Sequence, residues 1–141
     1  MKTFIKIVAV LLVIAAAMFG YIFYSGYSRG PEISARVTEF MELASDLEYE
    51  AAYDYFTQRL KDAVSFEEFA DSLDDHFSRV TFIEQKQTGF TFSIGLKRTY
   101  AYDGIATYST NKEGEIHMTF IREDGEWKIL AFDIPDPYDV D

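Results

Sequence analysis

The chain has 141 residues, a net charge of −11 and no cysteine. Without cysteine, a disulfide framework, thiolate metal sites, a cysteine nucleophile and a lipidated cysteine anchor are all excluded. Residues 1–30 carry three cations and no acid, so the remainder holds −14, a surface that repels phosphate backbones and excludes nucleic acid as a partner.

Residues 7–24 form an uncharged run of 18. At about 1.5 Å per residue this helix is roughly 27 Å long, close to the thickness of a bilayer's hydrocarbon core. Lys2 and Lys6 precede it and place residues 1–6 in the cytoplasm by the positive-inside tendency, while Tyr21, Tyr24 and Tyr27 supply an aromatic belt at the far end. The expectation is a single-pass anchor in the cell membrane with the rest of the chain on the outer, periplasmic or extracellular side. Ala15, Ala16 and Ala17 offer a signal-peptide cleavage site as the competing reading, but cutting there would leave the apolar residues 18–24 as an exposed N-terminus. Residues 25–31 read as a linker, broken by Gly26, Gly30 and Pro31.

Beyond the linker, residues 32–134 read as one small domain. A first helix over 31–45 carries the apolar stripe Ile33, Val37, Phe40, Met41, Ala44. A second starts near Asp46, with Tyr49, Ala52, Tyr53, Phe56 and Leu60 on one face. A third is announced by a capping box at Ser65 and Glu68 and carries Phe66, Phe69, Ala70, Leu73 and Phe77. After Arg79 the apolar period changes to two. Strands are expected at 80–88 and 99–110, with 90–96 a strand or extended connection and Gly104 a bulge. The clearest hairpin joins 115–123 to 126–134 through Asp124-Gly125, and residues 135–141 form an acidic tail.

A two-residue turn at Asp124-Gly125 places opposite each other residues whose numbers sum to 249. One face then carries Arg122 with Trp127, Phe120 with Ile129, Met118 with Ala131 and Ile116 with Asp133. The other carries Ile121 with Lys128, Thr119 with Leu130, His117 with Phe132 and Glu115 with Ile134. The second face is polar near the turn and apolar further along, so both faces carry large side chains and something is expected to cover Ile121, Leu130, Phe132 and Ile134: another subunit, a ligand, a partner, or residues 90–96 of the same chain.

Helices followed by antiparallel strands define an α+β domain. With the stretches 46–56, 65–69 and 122–129, this order resembles the nuclear transport factor 2-like (cystatin-like, cone-shaped) superfamily. More narrowly, it is similar to that superfamily's small membrane-anchored envelope domains of unknown function. The resemblance implies about three helices on a curved antiparallel sheet of four or so strands, with Trp127 entering the core. The fold hosts isomerases, dehydratases, transport factors and non-catalytic binding domains, so it does not by itself assign an activity.

Candidate chemistry is thin. His76 reads as a stabiliser of its helix C-terminus and His117 as a packed or interface residue. Asp133 shares the expected core face, where it is expected to lie at the sheet's end and reach water, and becomes a general base only if it sits in a cavity. Arg122 is expected to stack on Trp127. Tyr49, Tyr53 and Tyr55 decorate the second helix. Asp71, Asp74 and Asp75 match no metal-binding spacing and read as a solvated acidic face. No catalytic residue, metal or cofactor is expected. The surface expected to serve as interface or pocket comprises His117, Thr119, Ile121, Leu130, Phe132, Tyr100, Tyr102 and Tyr108. The first functional reading is a non-catalytic tethered domain that binds a partner or small ligand, or self-associates through its sheet. The alternatives are an isomerase- or dehydratase-like enzyme using Asp133 or His117 as base, and an accessory subunit of an envelope complex. The expected partners are the membrane through residues 7–24, and a second copy or an envelope protein.

Overall fold

The computed structural model describes residues 1–94, 97–134 and 138–139. The chain divides into two compact units, Met1–Gly30 and Pro31–Asp141. In the first, the stretch Lys2–Tyr21 is long and apolar enough to cross a membrane, and none of it is buried. Helical backbone continues without a break, defining α1 (Lys2–Ser45) with Pro31 inside it. The interruption expected at residues 25–31 does not appear. A proline costs a helix interior about 3 kcal/mol, an amount that long helical runs on both sides can carry.

The second unit is α+β, as expected. From Pro31 onward, α1 buries Ile33, Val37, Phe40, Met41 and Ala44. It ends in a Schellman-type turn, where the Glu48 amide donates to Leu43 O at 2.9 Å and the Leu47 amide to Ala44 O at 3.1 Å. Leu47 takes the left-handed conformation there, with φ 58°. Next come α2 (Tyr49–Tyr53), α3 (Gln58–Ala63) and α4 (Phe66–Phe77). Where one second helix was expected, two short ones stand, because the backbone between them does other work. The Thr57 amide donates to Ile129 O at 3.0 Å and the Ile129 amide to Tyr55 O at 2.7 Å, a parallel bridge onto the sheet edge. The Thr57 hydroxyl then caps α3 by accepting from the Leu60 amide. The capping box of α4 forms as expected between Ser65 and Glu68.

The sheet runs β1 (Phe82–Ile94), β2 (Arg98–Tyr108), β3 (Lys112–Glu123), β4 (Glu126–Asp133), antiparallel in sequence order. A two-residue β5 (Tyr138–Asp139) pairs with the start of β3. Segments 80–88 and 90–96 are thus largely one 13-residue strand. The irregularity expected at Gly104 lies instead on the facing strand, between Gln87 and Gly89. Gly104 has a different reason to be glycine: a Cβ there would stand 2.5 Å from the Tyr102 hydroxyl and 2.9 Å from Lys86 O.

The hairpin turns at Asp124 and Gly125, both at positive φ (53° and 81°), the combination a type I′ turn requires. Near the turn the pairing follows the sum of 249: Arg122 with Trp127, Ile121 with Lys128, Phe120 with Ile129. A register shift then intervenes, and Thr119 pairs with Ala131, Met118 with Phe132 and His117 with Asp133. Leu130 is the extra residue. One inserted residue exchanges every later side chain between faces, so the expected pairings beyond Ile129 are corrected. Phe132 turns to the helix side and Asp133 to the opposite face. Phe132 then completes a ring cluster drawn from four elements and loops: Phe56 lies 4.8 Å from Phe69, 5.3 Å from Phe132 and 5.9 Å from Phe40, centroid to centroid. Trp127 is buried, as expected.

Candidate functional site

The sheet face turned away from the helices is built by the odd-numbered residues of β2 and β3 and, past its bulge, by Ala131 and Asp133 of β4. The register aligns Asp103 of β2, His117 of β3 and Asp133 of β4 in one row across three strands. His117 Nδ1–H donates to Asp103 Oδ1 at 2.7 Å, and Nε2 lies 3.4 Å from Glu115 Oε2. The hydrogen bond to Asp103 raises the imidazole pKa; partial burial opposes this, and the Glu115 hydrogen bond and both carboxylate charges add to the rise. The His117 side chain is 46% exposed, so the pair stands on an open surface.

Of the residues expected to form an interface or pocket, His117, Thr119, Ile121 and Leu130 share or border this outer face. Thr119, Ile121 and Leu130 are half-buried. The other four lie on the helix side. Phe132 packs in the ring cluster, and Tyr100, Tyr102 and Tyr108 are fully buried. One surface made of all eight is therefore not what the fold builds. Asp133, expected with Ile116 and Trp127 on the core face, is exposed beside His117 because of the bulge. Asp103, the closest partner of His117, was not singled out from sequence. The signal that could have found it is the short connection Ser109–Asn111, which fixes the β2–β3 register once Asn111 takes its positive φ of 61°.

On the helix side, the polar groups of β1 and β2 meet α1. Gln85 Nε2 donates to Ser34 Oγ at 2.9 Å and Thr38 Oγ1 at 3.1 Å, and Gln87 Nε2 donates to the Tyr100 hydroxyl at 2.8 Å. The Tyr102 hydroxyl and Gln85 Oε1 are buried with no hydrogen-bond partner among the described residues. Burial drives the Tyr102 phenol strongly upward and pushes Tyr108 up to about 12. These phenols stay protonated at any physiological pH. His76 Nε2 lies 3.4 Å from the Tyr108 hydroxyl at the end of α4.

Along α4, Glu68, Asp71, Ser72, Asp75 and His76, with Ile134, line an open groove of about 490 Å³. Asp74 accepts a hydrogen bond from the Tyr49 hydroxyl. Among the described residues no group of three or more His, Asp or Glu is placed to hold a metal ion. Arg122 lies over the Trp127 ring at 5.3 Å, as expected, and its guanidinium approaches Glu32 Oε1 at 3.7 Å.

No protein-family model matches this chain, and no curated protein is similar to it in sequence.

Proposed function

We propose that this protein is a non-catalytic domain held at the outer side of the cell membrane by its N-terminal helix, where its sheet receives a partner. We further place its fold in the nuclear transport factor 2-like, cystatin-like group. The observation that carries the reading is the join of two dissimilar parts: an unburied 20-residue apolar helix and an acidic α+β unit whose interior is closed by its own rings. The cations Lys2 and Lys6 before the helix support a cytoplasmic N-terminus. The half-buried Thr119, Ile121 and Leu130 on the open sheet face support docking there. Replacing residues 7–24 with an unrelated spanning helix tests the tether against specific recognition by the anchor. Retained function rejects the accessory-subunit reading in which the helix itself contacts another membrane protein.

The second reading, an isomerase- or dehydratase-like enzyme of the cone fold with His117 or Asp133 as base, draws on the hydrogen-bonded Asp103–His117 pair. The two readings part on H117Q and D133N in a strain lacking the native copy. A docking domain tolerates these near-isosteric changes beside Thr119 and Ile121 and loses its cellular role in I121R instead, whereas an enzyme loses it in H117Q or D133N although the variant still folds.

A further inference from the structure

The two edges of the sheet differ. At Ile129 the β4 edge is bridged by backbone from Tyr55 to Thr57, and the start of β3 pairs with β5. β1 is the terminal strand on the other side, and among the described residues no strand pairs with its outer edge. Such an edge presents every second amide and carbonyl to whatever approaches. Protective devices occur on its first half: register shifts fall between Phe82 and Glu84 and between Gln87 and Gly89, and Glu84 and Lys86 are exposed. From Gly89 to Ile94 the ladder is regular, with no charge and no proline. Residues 87–96 are the longest uncharged run beyond residue 30, on a body carrying −14. Phe90 stacks on Tyr100 with centroids 5.3 Å apart and planes at 11°, yet remains 39% exposed at the edge.

We propose that the 89–94 edge of β1 pairs antiparallel with the same edge of a second copy, about a two-fold axis at Thr91. This rests on the reading of the protein as a tethered, non-catalytic association domain, and adds to the outer sheet face a second surface, the β1 edge, whose partner is another copy of the chain. Residues directly opposite in an antiparallel pair point to the same face, so the two numbers must have equal parity within this regular segment. Axes at Thr91 and at Phe92 give pairings of equal length inside it, and only the Thr91 axis sets Phe90 against an aromatic ring and Thr91 against itself. Phe90 then meets Phe92 of the second copy on the helix-side face, twice. Thr91 meets Thr91, and Gly89 meets Ser93, on the other. Aromatic and Thr–Thr cross-strand pairs are favourable ones, and the exposed part of Phe90 is covered. A copy of the same acidic charge approaches with least repulsion along the one long neutral stretch. Confinement to a membrane raises the effective concentration of copies for each other.

The absence of cysteine gives a clean test on the full-length protein in its membrane. T91C, S93C and T119C are each expressed alone and treated with a mild oxidant. Opposed antiparallel residues have Cα atoms about 4.5–5.5 Å apart, within the disulfide range. Two Ser93 residues would stand about 13 Å apart in this register. The expected result is a disulfide-linked dimer from T91C forming at least roughly tenfold faster than from S93C, with a mixture of G89C and S93C copies linking as T91C does. Raising salt should accelerate the T91C reaction by screening like charges. T91C linking no faster than S93C overturns the proposal. T119C linking fastest also overturns it, while leaving association through the outer sheet face standing.

Discussion

His117 shows how one contact sets a pH dependence. Its folded pKa is raised, chiefly by the hydrogen bond to Asp103, above the unfolded value of about 6.5. The stabilisation is therefore fully present below about pH 6.5 and is lost as pH rises through the folded pKa. Because the side chain is nearly half exposed, solvent screens the effect. The urea midpoint of the wild type, relative to H117Q, should fall as pH rises across that window. A pH-independent difference contradicts the assignment. Leu47 occupies a conformation that favours glycine, with φ 58° and 37% of its surface exposed. L47G should raise stability by about 0.5–1 kcal/mol, because relief of left-handed strain outweighs the added freedom of the unfolded chain. G104A should do the reverse and cost about 1–3 kcal/mol, since its Cβ would meet both the Tyr102 ring and a backbone carbonyl. Thermal or urea unfolding measures each. Neither site was legible in the sequence for its true reason. Left-handed Leu47 follows from how α1 terminates, and the crowding at Gly104 follows from a tyrosine two residues away folding back over it.

At the scale of elements, local signals were read correctly where the physics is local. The Ser65–Glu68 capping box, the Asp124-Gly125 turn and the α1 stripe all stand as expected. S65A should cost about 1 kcal/mol, visible as a lower unfolding midpoint with the hairpin unaffected. What failed was non-local. Nothing in the sequence near Leu130 announces a bulge; it is imposed by the cluster that draws Phe132 toward Phe56 and Phe69. The same shift moved Asp133 out of the core face and carried Phe132 off the expected interface surface, whereas Tyr100, Tyr102 and Tyr108 are buried by the facing of β2 itself. Likewise, the break between α2 and α3 exists because Tyr55–Thr57 close the β4 edge, a demand made by a strand some 70 residues later.

The whole molecule combines an apolar helix with an acidic domain, and the charge balance between them was readable from composition alone. The proposed station outside the membrane follows from that contrast and from Lys2 and Lys6. The α+β order was equally legible, because the hydrophobic period changes once, after Arg79. The proposed functional surface was less so: the half-buried outer face and the β1 edge, which no strand among the described residues pairs, are defined by which strand ends the sheet, a property of the assembled topology. Labelling of a single cysteine tests the account most directly. D124C at the hairpin turn, in intact cells exposed to a membrane-impermeant maleimide, should be modified on a protein of full 16.2 kDa mass that resists alkaline extraction. A freely soluble product that starts after Ala17, or a cysteine that reacts only once the cells are lysed, would contradict it.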